Sequence, residues 1–164
     1  MTIQSAQDLF FYDLCGMYDA ELKLAQVLPT LAQESQDAQT RDAFLEHQQE
    51  TVHHAQNLEQ CFQILGRSPV KLENHAVAGL KEDHDTFVQQ KPSPQALTMF
   101  DIGAGSKSEY LEISAYRGLI DSANLLGLQS CVPLFQQNLQ QEEAAARKLA
   151  TCAQRLGQEQ VGRV

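Results

Sequence analysis

Five glutamates and one histidine fall where a helical protein would place its core: Glu21, Glu50, His54, Glu109, Glu112 and Glu142. In the first long segment an apolar stripe runs Phe10, Leu14, Met17, Glu21, Leu24, Leu28, in steps of three and four. Glu21 therefore sits in the middle of an apolar face. A later segment gives Met99, Ile102, Glu109, Ile113, Tyr116, Ile120, Ala123, with Glu109 central and Glu112 about 60° to one side. The last gives Phe135, Leu139, Glu142, Ala146, Leu149, Ala153, so Glu142 points in and Glu143 out.

The second segment has the stripe Phe44, His47, Thr51, His54, Leu58, Cys61, Leu65, with Glu50 on its flank. Glu50-Thr51-Val52-His53 carries the Glu-x-x-His spacing that di-iron bundles use. His53, however, lies about 130° from the stripe centre. His54, one turn after Glu50, is the better placed ligand, and His53 stays its rival on motif alone. His47 reads as a core residue or as one that orients a ligand through its other nitrogen.

Four or five ionised carboxylates in one core layer are expensive to desolvate and repel one another. Basic partners are missing from the buried stripes. Lys23, Arg41, Lys107, Arg147 and Lys148 project well off them, and Arg117, the nearest, is still about 80° away. Shared protons are one solution. Divalent cations are the other, since carboxylate and imidazole suit iron, manganese or zinc.

The elements that must position these groups are helices. Residues that favour helix, Ala, Leu, Gln and Glu, fill the long spacers, and Pro is scarce and clustered. One helix spans about Ala6 to Gln33, with Pro29 bending or loosening its last turn. Ser35 and Asp37 offer a cap for a second, about Ala38 to Leu65, closed by Gly66. Residues 70–91 read as a crossover with one short helix around the apolar patch Ala76 to Leu80. Pro92-Ser93-Pro94 opens a third long helix that runs to Leu126, with Gly127 after it. Ser130 caps a fourth that reaches about Leu156.

Two hairpins of long helices joined by one long crossover have the connectivity of a ferritin-like four-helix bundle, an all-α fold. Glu21 and Glu50 lie equidistant from the first hairpin turn, and Glu109 or Glu112 with Glu142 from the turn at Gly127. Each hairpin thus sets its acids in one layer. Residues 1–157 form the single bundle domain in this reading, and 158–164 a frayed tail.

A formal net charge of −9 repels phosphate backbones and anionic lipid, which excludes nucleic acid and membrane as expected partners. No stretch has the roughly 20 apolar residues of a membrane helix, and no signal peptide precedes Phe10, so a cytoplasmic location is expected. Cys15, Cys61, Cys131 and Cys152 form no CxxC pair and read as small buried hydrophobes.

Several segments resemble the ferritin-like, stress-associated bacterial proteins of the YciE/YciF type. They are Asp8-Leu9-Phe10 and Tyr18-Asp19-Ala20-Glu21, then His47-Gln48-Gln49-Glu50-Thr51 and Leu58-Glu59-Gln60-Cys61-Phe62. Ala76-Val77-Ala78-Gly79-Leu80 in the crossover and Glu109 to Tyr116 complete the match. The resemblance implies a homodimer related to rubrerythrins, with two iron or manganese ions bridged by oxygen or water. Glu109 and Glu112 look like the third-helix Glu-x-x-Glu of rubrerythrins. On this reading Glu50 and Glu109 or Glu112 bridge ions roughly 3.5–4 Å apart. Glu21 and Glu142 are then terminal ligands and His54 the nitrogen ligand. Tyr18, Tyr110 and Tyr116 lie within about a turn of the acids, any of them able to donate a hydrogen bond there.

The chemistry implied is reaction with peroxide, dioxygen or ferrous iron in stress defence. In related bundles an acid or histidine follows one turn after the Glu142 position; here that position is Ala146. With no CxxC…CxxC module, electrons must come from a separate donor. The competing reading is a non-enzymatic helical dimer whose metal site is vestigial or empty.

Overall fold

The computed structural model describes residues 2–70 and 72–161, of which all but the turns and caps are helical. Five helices follow in order: α1 (Ala6–Glu34), α2 (Ala38–Ile64), α3 (His75–Gln89), α4 (Pro94–Leu125) and α5 (Val132–Val161). The four long ones form a ferritin-like bundle. α1 pairs with α2 and α4 with α5, while α1 also packs on α4 and α2 on α5. The crossover helix α3 lies against α1 and α4.

The helix ends follow local chemistry. Asp37 caps α2, its carboxylate accepting the Thr40 amide at 2.8 Å, and Ser93 caps α4 just before Pro94. Gly66 and Gly127 take left-handed φ of 63° and 71° immediately past α2 and α4. There the amides of Arg67 and Leu128 turn back to the carbonyls of Phe62 and Ala123 at 2.9 and 2.8 Å. α3 is fixed at its start by Asn74, whose side chain accepts the Val77 amide and donates to the Gly16 carbonyl. The Asn74 amide in turn donates to Asp19 Oδ2 at 2.8 Å.

α1 includes Pro29, as expected, and continues to Glu34, with Leu28, Leu31 and Ala32 buried around it. Two boundaries differ from the sequence reading, the start and the end of α5. α5 starts at Val132, where the Cys131 carbonyl accepts the amides of Leu134 and Phe135, leaving Ser130 in the turn before. It continues past Leu156 and Gly157 to Val161, since a single mid-helix glycine costs only about 1 kcal/mol. Residues 162–164 of the expected tail lie outside the described residues.

Two apolar clusters fill the bundle. One gathers Phe10, Leu14, Leu58, Phe62, Leu119 and Phe135, and the other Leu28, Leu31, Phe44, Ile102 and Leu149. His47, Thr51 and His54 on α2, Glu109 and Glu112 on α4 and Glu142 on α5 come between the two clusters. The four cysteines are buried and free. Cys61 and Cys131, far apart in sequence, meet thiol to thiol, and that contact, added to burial, pushes the Cys61 thiol up. Among the described residues no helix is long and apolar enough to cross a membrane.

Candidate metal centre

The polar layer is built from one or two side chains per long helix. α1 supplies Glu21, α2 His47 and His54, α4 Glu109 and Glu112, and α5 Glu142, all at most 5% exposed. They form two overlapping groups whose ligand atoms lie within 4.8 Å of one another. One is His47, Glu109, Glu112 and Glu142; the other is Glu21, His54 and Glu142. Glu142 belongs to both. Its Oε1 lies 2.8 Å from His54 Nδ1 and its Oε2 3.4 Å from His47 Nε2. Glu109 Oε1 is 3.3 Å from His47 Nε2, and Glu21 Oε2 is 3.6 Å from His54 Nδ1.

The two neighbouring histidines of α2 point in different directions. His54 is fully buried, while His53 is exposed and bonds to Gln56 on its own helix. Glu50 stands outside both groups, half-buried on the flank of α2, and meets the layer only through His47 Nδ1 at 3.3 Å. Glu142 is the carboxylate common to both groups. Conversely, His47 comes into the layer rather than standing behind it. The physical reason is the helical wheel: Glu50 is a flank residue, and its carboxylate reaches the inward-facing ring one turn earlier. Ala146 is buried and offers no ligand atom, so α5 contributes Glu142 alone.

Of the three tyrosines, only Tyr116 enters the site. Its hydroxyl donates a short hydrogen bond to Glu21 Oε1 and accepts one from Asn138 Nδ2 at 2.9 Å. Asn57 Nδ2 in turn donates to Asn138 Oδ1 at 2.7 Å, extending the network into the core. Tyr18 donates to Glu59 at 2.7 Å, and Tyr110 is 67% exposed.

Electrostatics in the layer are dominated by burial. It pushes Glu21 up, and it pushes Glu109 and Glu112 well above the ordinary carboxylate range, with the Glu142 charge as the next cause for those two. Burial alone would do the same to Glu142, but His54, His47 and Glu109 outweigh it and hold Glu142 low. Burial likewise opposes a charged His54, yet Glu142 and Glu21 overcome it and push the imidazole up to about 10. Among the described residues Lys23, Arg117, Lys148 and Arg155 pair instead with Asp19, Glu143, Glu46 and Asp37, away from the layer.

The donor set fits a metal. Glu21 Oε2, His54 Nδ1, Glu109 Oε2, Glu112 Oε1 and both oxygens of Glu142 are buried and make no hydrogen bond. His54 Nε2 faces Gln141 Oε1 at 2.9 Å, which places a proton on Nε2. Its Nδ1 meets Glu142 Oε1 at 2.8 Å and Glu21 Oε2 at 3.6 Å, the two carboxylates that favour a proton there, and a cation taking the place of that proton would have the Nδ1 lone pair as a ligand. Carboxylate and imidazole atoms gathered this closely suit a cation, which would replace the protons that burial favours on Glu21, Glu109 and Glu112.

A narrow cavity of about 40 Å³, room for a few water-sized molecules, leads to this layer. Leu24, Leu28, Val77 and Gly105 help to wall it, while His47, Glu109 and Glu112 line its polar side.

Asn57, Asn138 and Gln141 escaped the sequence reading. An apolar stripe on α5 favours Leu139, yet Asn138 is fully buried and Leu139 only partly so. The available signal was the spacing of four between Asn138 and Glu142, which places both on one face.

Comparison with known proteins agrees with this arrangement of helices. Residues 5–162 match the family described as Domain of unknown function (DUF892). The chain is 26% identical over 154 residues to Protein YciF of Escherichia coli (strain K12), covering 93% of each. It superposes on the crystal structure of the E. coli stress protein YciF with a TM-score of 0.90 at 24% identity, covering 95% of this chain and 99% of that one. YcfI of Rhodopseudomonas palustris, for which a structural role has been suggested, gives 0.88 at 28% identity, covering 91% and 95%. A protein of Xanthomonas campestris pv. campestris shares the fold at 0.75 and 19% identity, covering 98% of each chain.

Proposed function

The chain belongs to the DUF892 family, of the YciE/YciF type, and from that premise and the geometry above we propose that it is a di-metal carboxylate protein of stress defence. His47, Glu109 and Glu112 would hold one iron or manganese ion and Glu21 and His54 the other, with Glu142 shared between them. One observation carries the reading: six buried donor atoms of these residues face one another with no hydrogen bond. Leaving them so without a cation would be costly.

Bound there, the ions supply one-electron chemistry towards peroxide, dioxygen or ferrous iron. The chain's own residues position and protect them. Tyr116 fixes Glu21, Asn138 fixes Tyr116, and Glu50 beside Nδ1 aims the Nε2 of His47 at the layer. The narrow cavity favours small reactants, and its apolar walls limit water. Electrons come from a separate donor in this proposal. A homodimer would cover apolar side chains that one copy leaves exposed, such as Tyr110 and Leu125.

The test is addition of peroxide to protein loaded anaerobically with ferrous iron. Wild type should consume peroxide and develop near-ultraviolet ferric absorption, and Glu142→Ala should do neither. Equal rates in the two would overturn the assignment.

A second reading, a non-enzymatic bundle with a vestigial site, has its own support. Glu109 and Glu142 are close enough to share a proton, which relieves part of the repulsion without a metal. It predicts that a chelator leaves the melting temperature of the purified protein unchanged.

A further inference from the structure

A second group of ligand-type side chains lies where the crossover helix meets the bundle, and the core layer makes no use of it. Glu34 ends α1, His84 sits in α3 and Asp101 in α4. His84 Nε2 is 2.8 Å from Glu34 Oε2 and 3.4 Å from Asp101 Oδ1, and one ligand atom from each of the three lies within 4.8 Å of the others. Asp101 is fully buried, and neither of its oxygens has a hydrogen-bond partner. An unpartnered carboxylate aimed at an imidazole and a second carboxylate is the same signature as in the core, on different helices.

His84 offers its Nε2 to the group. Its Nδ1 lies 3.6 Å from Asp85 Oδ1, and Asp85 is itself held by Lys81. Nε2 makes a 2.8 Å hydrogen bond with Glu34 Oε2, and a cation would take the place of the proton between them. Glu34 is only half-buried, so water can complete the coordination. The rival arrangement uses protons: burial, with the Glu34 charge second, pushes the Asp101 carboxyl up to about 7.

We propose that Glu34, His84 and Asp101 form a divalent-cation site, separate from the core layer, that pins the crossover helix to α1 and α4. One imidazole and two carboxylates with open positions suit zinc, manganese or ferrous iron. The site has work to do there. Val77 and His84 are the buried residues of α3, and its N-terminal end is already tied down through Asn74. Beyond that, the stack of Phe87 on Phe100, with ring centroids 4.0 Å apart, is its main anchor near the other end. A bound ion would fix that end.

Zinc is the probe. Bound zinc per chain is measured on the full-length protein, wild type, His84→Ala and Asp101→Asn, together with hydrogen exchange of residues 75–89. Each variant should bind one ion fewer than wild type. At zinc 100 times its Kd, exchange across 75–89 should slow by up to about 100-fold in wild type and not in Asp101→Asn. Asp101→Asn preserves shape, so it serves even if His84→Ala fails to fold. Equal zinc content in wild type and Asp101→Asn, or unchanged exchange in wild type, would overturn the proposal. If the core reading alone fails, wild type binds one ion and the variants none.

Discussion

Chelated protein should lose stability as pH rises from 5.5 to 7.5, the reverse of ordinary acid sensitivity in this range. Glu21, Glu109 and Glu112 are raised above the usual carboxylate range, burial being the largest cause. A raised carboxyl keeps its proton in the folded state where the unfolded chain has released it. Its contribution is complete below the unfolded value and drains away as pH climbs through the folded one. His54, raised to about 10, has the same sign: its contribution is complete below the ordinary imidazole value and is lost as pH passes towards 10. Glu142 and Glu50 are lowered and act oppositely, but their contribution is lost only in acid, below the window.

Each proton held by the folded state alone is worth about 1.4 kcal/mol per pH unit. A single such proton over two units gives roughly 3 kcal/mol, or about 6–12 °C in Tm for a domain of this size. The assay is thermal melting with excess chelator, followed by circular dichroism. Added metal should reverse the slope, since its ligands bind better deprotonated. A Tm that is flat or rising across this window in chelator would refute the protonated-acid account of the apo layer.

Tyr116→Phe strips Glu21 Oε1 of its donor and Asn138 of an acceptor, and should cost about 1–3 kcal/mol in urea melts of the chelated protein. Two of the α4 glycines, Gly105 and Gly118, should respond in opposite directions. A Cβ on Gly105 would meet Leu149 Cδ1 at 3.0 Å and Phe44 Cε1 at 3.1 Å, so Gly105→Ala should destabilise by about 1–3 kcal/mol, less up to about 1 regained in helix propensity. Gly118 has open space, and Gly118→Ala should stabilise by about 0.4–1 kcal/mol in the same assay. His54→Ala should lose metal measured by elemental analysis, while His53→Ala, at an exposed position, should keep the wild-type complement.

Much of the fold and the inward direction of the acids was legible because both rest on local spacing. Glu21, Glu109, Glu112 and Glu142 interrupt apolar stripes of period 3.6, and Gly66 and Gly127 mark helix ends through a backbone conformation that favours glycine. His54 over His53 follows from the same wheel. That Glu50 meets His47 and stays outside both groups was not legible, since a flank residue's reach depends on which neighbour its side chain meets. Asn57 and Asn138 were hidden by polarity: their burial is apparent only when α2 and α5 pack and each amide finds the other. The pairing of Glu34, His84 and Asp101 spans three helices, and no single-helix pattern connects them. Cys61 beside Cys131 is non-local in the same way.

The most direct measurement of the central claim is the number of ions per chain that depends on Glu142. Wild type and Glu142→Ala are loaded anaerobically with ferrous iron, desalted and analysed for iron. The account predicts that wild type holds about two more ions per chain than the variant, as a shared ligand of a two-metal site requires. Equal iron in the two proteins would contradict it.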